Sequence, residues 1–393
     1  MATIYYVQAT VGNDVNDGLS TAGAFLTISK GASVAVAGDT IKVLSGSYQG
    51  SIYLNSANAN NGTSASPIEL VSPVQWKAVI KPLSAVANGS GNQACLEVRR
   101  DWWIINGFEV DGTAGYTGTT WTIGGSEWII GIYLTGSRIV CKRNKVHKIA
   151  YSDIAQSNGN GGAGIALENF YNNASSQTVD SNTCYDIGQY GDAHTTIHGI
   201  YIENPNSIVQ NNICHTVQSD GITSYHSANA FTIVNNTCFH CGSVGFLIAS
   251  TAAGGASNCR IFNNIAYDNV TNGIVENNTI GTGNQYGYNM SVFNGNLGQN
   301  NWSLIGSTHT SDVSGSPSFI NYVAAGGGNY HLSSSSTCKD TGVISLGGSL
   351  APVTDFDGVT RPFNGSWDLG AYEFETPTNL VSPPAGRLQF LNR

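Results

Sequence analysis

Charged side chains are scarce in this 393-residue chain. Asp, Glu, Lys and Arg together make up 10% of the residues, against about 25% in a typical soluble domain. A compact globule usually stays soluble through lysine and glutamate, so this composition argues against an ordinary globule. Asn, Ser, Thr and 48 Gly take the place of charge, and a stacked β-architecture can use such side chains because neighbouring layers bond them in ladders.

Basic residues are fewer still, since 16 Lys and Arg face 25 Asp and Glu and leave a net charge of −9. Non-specific nucleic-acid binding needs a cationic surface, so we expect no nucleic-acid partner. One basic stretch, residues 138–148, has two interpretations: a solvated turn and strand edge, or a patch that meets an anionic sugar. Disorder is excluded because hydrophobic residues reach 41% and aromatics 10%.

Long apolar runs are also missing. No stretch approaches the roughly 20 apolar residues that span a bilayer, so we expect no membrane partner. The first residues lack the basic and apolar regions of a signal peptide. We therefore expect an extracellular or virion-associated protein whose signal peptide has been removed, or one that leaves its cell by lysis.

We do not expect the eight cysteines to form a network of disulfide bonds, because a chain of this length does not need disulfides to stabilise its fold. The repeat described next places Cys184, Cys214 and Cys238 in one interior column, where we expect buried free thiols. Cys238 and Cys241 form a single C-x-x-C without a second pair, which argues against zinc.

A short motif recurs along the chain and marks an internal repeat. Gly-Ile-x or a close variant begins at residues 131, 164, 199, 221, 245 and 273. After each copy comes an apolar stretch with a central Asn, and the aligned residues are Asn106, Asn144, Asn182, Asn212, Asn236 and Asn264. Their separations are 38, 38, 30, 24 and 28 residues.

A period near 24, lengthened by insertions, is typical of a three-strand coil. The strands alternate apolar and polar residues, and each Asn falls at a turn where it can bond the Asn of the next coil. Leucine-rich repeats have a similar period but need leucine at fixed places and a helix per repeat. Leucine is scarce here, and no segment after residue 60 has a convincing helical period. The sequence therefore predicts an all-β solenoid, a parallel β-helix.

The chain resembles the pectate-lyase-like superfamily of right-handed parallel β-helices. Its opening, with Gly12-Asn-Asp-Val-Asn-Asp-Gly and Ala37-Gly-Asp-Thr-Ile, is similar to that of many bacterial and phage β-helix proteins. Its close, Asp355-Phe-Asp-Gly-Val-Thr-Arg-Pro and Asp368-Leu-Gly-Ala-Tyr-Glu-Phe, resembles a segment that ends many such chains. The resemblance implies the fold over almost the full length. It leaves activity open, because the superfamily includes lyases, hydrolases, epimerases, phage tailspikes and binders.

These patterns predict four regions. Residues 1–60 hold an N-terminal cap, with a short amphipathic helix over 27–36, and the first strands. Residues 61–317 form the β-helix. Residues 318–375 are C-terminal rungs and a cap that packs along or over the last rungs, because a solenoid needs covered ends. Residues 376–393 are a tail or linker.

Alternation along the Gly-Ile strands maps one outer sheet face. The first outward column runs through Glu97, Tyr133, Ala166, Tyr201, Thr223 and Leu247, and the second through Arg99, Thr135, Glu168, Glu203, Tyr225 and Ala249. His198 and Asp220 lie at the turn before the strand. Strands lie about 4.8 Å apart, so Glu168 and Glu203 should be neighbours, and one pKa of such a pair rises. We expect Glu203 and His198 to be exposed and outside the core.

The predicted site lies on three consecutive rungs, which begin at Gly164, Gly199 and Gly221. The candidate catalytic residues are Glu203, His198, Glu168, Asp220 and Tyr201. Long insertions before Gly131, Gly164 and Gly199 should stack as a wall beside this face and supply Tyr116, Trp121, Trp128, Tyr151, Tyr190, Asp192 and His194. The candidate substrate-binding residues are Tyr225, His226, Asp192, His194, Arg99, Tyr133 and Trp128.

Sugar rings stack on aromatic faces while their hydroxyls take hydrogen bonds, so the pattern favours a polysaccharide ligand. Two mechanisms stay open. A lyase would use His198 or Tyr201 as base, with Arg99, a cation near Lys142 or calcium as neutraliser. A hydrolase would use two carboxyl groups among Glu168, Glu203 and Asp220.

No cofactor is required by the pattern. Calcium is an option, held by carboxylates such as Asp153, Asp192, Glu168 or Glu203, and no metal site is fixed. The alternative function is a non-enzymatic virion, tail or cell-surface protein that binds glycans. The resemblance to tailspikes would then imply a homotrimer.

Overall fold

The computed structural model describes residues 2–82, 93–113, 128–150, 161–168, 173–191, 195–295, 298–363 and 365–375. Three parallel sheets wind around one elongated core. The parallel β-helix predicted from the repeat is confirmed. No helix in the described part of the chain has the length and apolar character to cross a membrane.

Each complete coil contributes one strand to each sheet, and sheet A has two strands more than the other two, so consecutive coils stack as neighbouring parallel strands. In spatial order, sheet A consists of β1 Ile4–Val7, β2 Thr40–Val43, β5 Ile68–Val71, β8 Trp103–Asn106, β11 Val140–Lys142, β14 Thr178–Asp180, β17 Ile208–Gln210, β20 Thr232–Val234, β23 Arg260–Phe262, β26 Gln285–Gly287 and β29 His309–Thr310.

Sheets B and C follow sheet A in each coil. Sheet B consists of β3 Gly46–Gln49, β6 Ala78–Lys81, β9 Glu109–Asp111, β12 Lys145–Ile149, β15 Thr183–Ile187, β18 Ile213–Val217, β21 Thr237–Phe239, β24 Ile265–Tyr267 and β27 Met290–Val292. Sheet C consists of β4 Ile52–Leu54, β7 Gln93–Val98, β10 Trp128–Leu134, β13 Gly161–Leu167, β16 Ile197–Ile202, β19 Ile222–Ser224, β22 Val244–Ser250, β25 Asn272–Asn278 and β28 Trp302–Ser303.

The helix predicted over residues 27–36 is present as α1, Ile28–Val34. Thr27 caps it, because the Thr27 Oγ1 accepts the backbone N–H of Lys30 at 3.1 Å. Ile28 and Ala32 are buried in the main core beside the first strands. Gly31 is required by this contact, since a Cβ atom there would lie 2.9 Å from Cγ2 of Ile41.

The chain turns between sheets through residues in the left-handed backbone region. Such conformations are uncommon outside glycine, although Asn and Asp adopt them more readily than other residues. They recur coil after coil at the corner between sheets A and B, where the residues are Arg143, Ser181, Asn211, Asn235, Asn263 and Tyr288. The corner between sheets B and C uses Lys148, Asp186, Thr216, His240, Asp268 and Phe293.

An interior asparagine ladder follows the A–B corner. The Asn212 side-chain amide donates to Asn236 Oδ1 (3.0 Å), and Asn212 Oδ1 accepts the backbone N–H (2.9 Å) and side-chain amide (3.0 Å) of Asn182. The ladder runs through Asn144, Asn182, Asn212, Asn236, Asn264 and Asn289. The predicted ladder is therefore confirmed for five of its six members.

Asn106 was assigned to this ladder wrongly. It pairs with Lys142 in the sheet, and its side chain bonds Glu69 on the outside. Phe108 occupies the ladder position, because its backbone N–H donates to Asn144 Oδ1 at 2.9 Å. The spacing alone could not detect this two-residue shift, since a strand alternates with a period of two.

The cysteine prediction is confirmed. Cys184, Cys214 and Cys238 are directly paired on β15, β18 and β21 and are fully buried free thiols. They lie opposite Gly164, Gly199 and Gly221, where a Cβ atom would lie within 2.8–3.0 Å of the facing sulfur. The recurring glycine of the motif thus makes room for the thiol column.

The segment after residue 318 packs along the side of the coil. It contains two antiparallel pairs, β30 Phe319–Asn321 with β31 Asn329–Leu332, and β32 Ser345–Leu346 with β33 Ser349–Leu350. Its backbone carbonyls at Thr354, Asp368 and Val343 accept the side-chain amides of the corner residues Asn211, Asn235 and Asn263 at 2.7–2.9 Å. Three successive coils are joined to the segment in this way.

A buried ion pair lies inside this C-terminal segment. Arg361 Nη1 donates to Glu373 Oε2 at 2.7 Å, and both side chains are fully buried. Arg361 also donates to the carbonyls of Asp368 and Gly370, and its Nη2 lies 3.4 Å from Asn211 Oδ1 on the coil. The two motifs at the end of the described part of the chain are therefore held together by one arginine.

Candidate functional site

The outer face of sheet C carries the predicted columns. Strand pairing places Glu97, Tyr133, Ala166, Tyr201, Thr223 and Leu247 side by side on successive strands. Glu168 and Glu203 follow the ends of β13 and β16, and their backbone N–H groups bond the preceding strand at 3.0 and 2.8 Å. They are therefore neighbours across one strand spacing, about 4.8 Å.

The carboxyl pair is buried. Glu168 is 1% exposed and Glu203 is 7% exposed, so the expected exposure was wrong. Burial raises the pKa of Glu203 well above its ordinary value, the charge of Glu168 raises it further, and the hydrogen bond with Tyr201 opposes the shift. Both effects favour the protonated form of Glu203, and a protonated carboxyl group is what a general acid needs.

Three aromatic rings cover this part of the face. The rings of Trp128 and Tyr201 stack at 5.1 Å with 13° between their planes, and His198 stacks on Tyr201 at 5.0 Å. Trp128 contacts Tyr201 across β13, because the small residues Gly161, Ala163 and Ala166 leave space above that strand. This apolar cover explains why residues on an outward column are buried.

Tyr201 lies at the centre of the site. Its side chain is 4% exposed, and burial followed by the charge of Glu203 raises its pKa well above the ordinary value. A protonated phenol donates a hydrogen bond but does not abstract a proton. Of the two bases that the sequence offered, Tyr201 and His198, only the histidine fits that role.

His198 is held by two groups of the next coil. Its Nδ1 lies 3.2 Å from Asp220 Oδ2 and 3.2 Å from Thr223 Oγ1, and this hydroxyl donates to Asp220 Oδ2 at 3.0 Å. The network assigns the proton of the neutral ring to Nδ1 and leaves Nε2 as the basic nitrogen. His198 is 5% exposed, so its expected exposure was also wrong.

His226 contacts the carboxyl pair from the other side. Its Nε2 lies 3.2 Å from Glu203 Oε1, and burial lowers its pKa, so the ring is neutral. Tyr225 is half-buried and packs against the aromatic cover. The structure thus brings together Glu168, Tyr201, Glu203, Tyr225 and His226, with His198 and Asp220 at the turn edge.

Arg99 and the basic stretch lie elsewhere. Arg99 Nε pairs with Glu97 Oε1 at 2.5 Å and its guanidinium lies 4.5 Å from the ring centre of Tyr53. It is three strands from Glu203, too far to neutralise a charge there. Lys142 is on sheet A, and Lys145 pairs with Glu109 on sheet B at 2.8 Å. Neither proposed side-chain neutraliser is therefore at the carboxyl pair.

The wall of inserted loops is only partly within the described residues. Asp192, His194, Tyr116, Trp121, Tyr151 and Asp153 lie outside them. Tyr190 is described and stacks on His240 at 4.4 Å, away from the carboxyl pair. Tyr133 is buried in the apolar cover.

Sequence reasoning missed the role of Thr223, the residue that links Asp220 to His198. The sequence placed Thr223 in the first outward column, three residues after Asp220. Its position could therefore be predicted, but its hydrogen bond to Asp220 could not. Within the described ranges, no group of three or more His, Cys, Asp or Glu side chains could hold a metal ion. Calcium stays a prediction.

Fold and site together define a class: a parallel β-helix protein with a buried carboxyl pair under aromatic rings on one outer sheet. Similar solved structures have this fold. The crystal structure of pectate lyase Pel9A aligns over 95% of this chain and 98% of its own, with 18% identity and a TM-score of 0.56. The complex of XylC with xylose aligns over 79% and 68%, with 14% identity and a TM-score of 0.54.

A third similar structure is the GH136 lacto-N-biosidase from Eubacterium ramulus. It aligns over 79% of this chain and 58% of its own, with 12% identity and a TM-score of 0.53. At the sequence level, no protein-family model and no curated protein matches the chain. The pectate-lyase-like fold predicted from the sequence is thus confirmed, and identities this low show the fold alone.

Proposed function

We propose that this protein is an enzyme that cleaves a polysaccharide on the outer face of sheet C. The observation that carries the proposal is the carboxyl pair of Glu168 and Glu203, buried on adjacent strands. Two neighbouring buried carboxyl groups destabilise a fold unless one stays protonated. Such pairs are characteristic of functional sites, where a raised pKa supplies a general acid.

The surroundings of the pair fit a sugar chain. Trp128 and Tyr225 are partly exposed around the buried Tyr201, and aromatic rings pack well against the C–H faces of sugars. The sheet continues for several strands on either side of the pair, which gives room for an extended polymer. Pectate lyase Pel9A and the lacto-N-biosidase, by their names, act on glycans.

A second chemistry on the same substrate class is favoured by the contact between His198 and Asp220. In this version, His198 Nε2 removes a proton beside a sugar carboxylate, and Tyr201 donates a proton to the leaving oxygen. The bond between ring carbon and oxygen then breaks by elimination. A protein that only binds glycans needs neither this histidine arrangement nor the carboxyl pair.

Incubation with a panel of polysaccharides tests the proposal. We expect new reducing ends from at least one polymer, and a Glu203→Gln variant should lose about 10²–10⁴-fold in rate. The matched control is Glu69→Gln, which changes a glutamate on the outer face of sheet A. If the protein binds a polymer, yet neither reducing ends nor absorbance near 235 nm appears, it is a binder and the proposal is wrong.

A further inference from the structure

We infer that His226 is the catalytic residue that passes a proton to the leaving oxygen of the sugar chain, and that the buried Glu203 supplies this proton through it. The proton relay rests on the proposed function, a glycan-cleaving site on the outer face of sheet C, and names the group of that site that touches substrate. Two observations carry it: the accessibility of the ionisable side chains of the site, and the contact between His226 and Glu203.

Most ionisable groups of the site are too buried to touch a polymer that lies on the sheet. The buried ones are Glu168, His198, Tyr201, Glu203 and Asp220. The His226 side chain, in contrast, keeps 39% of its surface exposed. Tyr225 is also partly exposed, but among the described residues no hydrogen bond joins its hydroxyl to a carboxyl group. His226 therefore combines access to substrate with contact to an acid.

Glu203 contacts the imidazole at one of its two nitrogens. Oε1 of Glu203 lies 3.2 Å from Nε2 of His226. Burial and the charge of Glu168 favour the protonated form of Glu203, whereas burial favours the neutral form of the imidazole because it lowers the pKa of His226. A protonated carboxyl group donates to a neutral ring nitrogen, so the proton of the ring belongs on Nδ1. Nδ1 is then the donor that the imidazole offers to a substrate.

The next coil fixes the backbone of His226. Its φ angle is 47°, in the left-handed region that is uncommon outside glycine. The His226 carbonyl accepts the Ser250 hydroxyl at 2.6 Å and the backbone N–H groups of Thr251 and Ala252 at 3.1 Å. The ring of Tyr225 meets the imidazole edge-on, with 5.0 Å between the ring centres. These contacts hold the imidazole beside Glu203.

The relay moves two protons when the sugar bond breaks. Nδ1 of His226 gives its proton to the leaving oxygen, which keeps the electron pair of its broken bond to the sugar carbon. The Glu203 proton moves to Nε2 at the same time, and Glu203 is left as a carboxylate beside a neutral ring. A water molecule then gives a proton to Nδ1, and the Nε2 proton returns to Glu203.

The same relay fits both chemistries of the proposed function. In hydrolysis, the hydroxide that remains from the water molecule bonds to the sugar carbon. In elimination, this hydroxide takes up the ring proton that His198 removed. Because Tyr201 is buried, His226 replaces it there as the donor to the leaving oxygen. The role of His226 is therefore the same for a charged and an uncharged sugar.

The experiment compares the full chain with its His226→Gly variant. Both are incubated with xylan, galactomannan, polygalacturonate and alginate, while reducing ends and absorbance near 235 nm are followed. Glycine adopts the left-handed region without strain and leaves space for a free imidazole molecule. On a polymer that the parent chain cleaves, we expect the variant to lose at least about 10²-fold in rate. Imidazole added to the buffer should restore part of this rate.

The matched control is His240→Gly. His240 also has a left-handed backbone, with a φ of 50°, and its Nδ1 lies 3.7 Å from Asp268 Oδ2. It follows β21 at the corner between sheets B and C, so this variant should keep the full rate. Circular dichroism shows whether the coil of each variant is intact. If His226→Gly does not fold, His226→Asn replaces it, because asparagine tolerates the same backbone region, and a parent rate in that variant overturns the relay.

The double variant Glu203→Gln/His226→Gly tests whether the two residues work in one relay. Groups that act as a unit give non-additive losses, so the double variant should be no slower than the slower single variant. Independent roles would instead multiply the two losses. Nitrogen NMR of the parent chain at neutral pH needs no substrate, and we expect the proton of the His226 ring on Nδ1. A proton on Nε2 would mean that Glu203 is ionised and would overturn the relay.

The outcomes separate the relay from the proposed function. A rate loss in His226→Gly that imidazole partly restores, without a multiplied loss in the double variant, supports the relay. A parent rate in His226→Gly, a loss that imidazole does not restore, or a multiplied loss in the double variant overturns the relay while the protein remains a glycan-cleaving enzyme. If the parent chain cleaves none of the four polymers, the proposed function fails for them and the relay fails with it.

Discussion

The imidazole Nδ1 of His198 lies 3.2 Å from the Asp220 carboxylate, and the two residues belong to successive coils of the β-helix. Thr223 Oγ1 bridges them. The side chain of His198 is therefore oriented by two residues of the next coil. Because both residues are nearly inaccessible, the orientation is fixed before any substrate binds.

Asp220→Asn should lower the cleavage rate through His198. The amide keeps the size of the carboxylate but is uncharged and can turn its NH2 group toward Nδ1, so the ring loses its preferred tautomer and we expect about a 10²-fold loss. Asp101→Asn, at the turn between β7 and β8, is the control. An unchanged rate in Asp220→Asn would remove His198 from the mechanism.

Glu203→Gln should change how stability depends on pH. The folded-state pKa of Glu203 is raised, so the folded protein retains a proton that the unfolded chain releases. The stabilising contribution is complete below the unfolded pKa near 4.5 and is lost as pH rises through the folded pKa. The glutamine variant has no titrating group at this position, so it does not lose this stability as the pH rises. Its melting temperature relative to the parent should therefore rise between pH 5 and pH 9, and an equal difference at both pH values would contradict the assignment.

Asn212→Ala should destabilise the coil without touching the site. The change deletes the bonds to Asn182 and Asn236 and those to the carbonyls of Val179 and Gln210. Unsatisfied buried groups cost about 1–3 kcal/mol, which urea unfolding can measure. Asn229→Ala, which removes one local bond to Ser227, should cost far less. Equal unfolding midpoints for the two variants would argue against the ladder.

The three thiols of the interior column should not react with thiol reagents in the native state. Cys184, Cys214 and Cys238 are fully buried, and burial raises the pKa of each thiol, so little thiolate is available. We expect no labelling by an aromatic disulfide reagent in buffer and eight thiols in denaturant, since all eight described cysteines are free. Rapid labelling of these three cysteines without denaturant would contradict their burial in the core.

Arg361→Gln should loosen the C-terminal segment. Breaking a buried ion pair by removing one partner costs about 3–5 kcal/mol, and Glu373 would be left buried beside Asp368. We expect faster proteolysis within residues 319–375 and a lower unfolding midpoint. Arg138→Gln, at an exposed corner, is the control. Proteolysis at the parent rate would mean that the corner asparagines alone hold the segment.

The sequence predicted the coil because its signals are local. Gly-Ile strands, turn asparagines and the cysteine column each reflect a contact with the neighbouring coil, and this contact recurs every 24–38 residues along the sequence. The helix near Thr27 and the adjacency of Glu168 and Glu203 followed from the same rules. The error at Asn106 arose at the start of the ladder, where Phe108 occupies the position of the asparagine.

Burial at the site could not be predicted in this way. Alternation tells which residues point outward, but not that Trp128 lies across Ala163 and Ala166 to reach Tyr201. That contact spans two strands and depends on small side chains between them. The bond from Thr223 to Asp220 depends on rotamers, which a one-sequence pattern does not specify. The course of the C-terminal segment along the coil likewise depends on contacts more than 130 residues apart, as between Asn235 and Asp368.

The stacking of coils also gives the site an order of assembly. Glu168 and Glu203 are 35 positions apart in the chain (203 − 168) but neighbours across one strand spacing, and His226 belongs to the coil after Glu203. Each coil of a solenoid contacts only its neighbours. A nascent chain growing from its N-terminus would therefore lay down Glu168 first, Glu203 one coil later, and His226 last. Deleting the residues of one whole coil would preserve the β-helix but would bring different residues side by side on neighbouring strands.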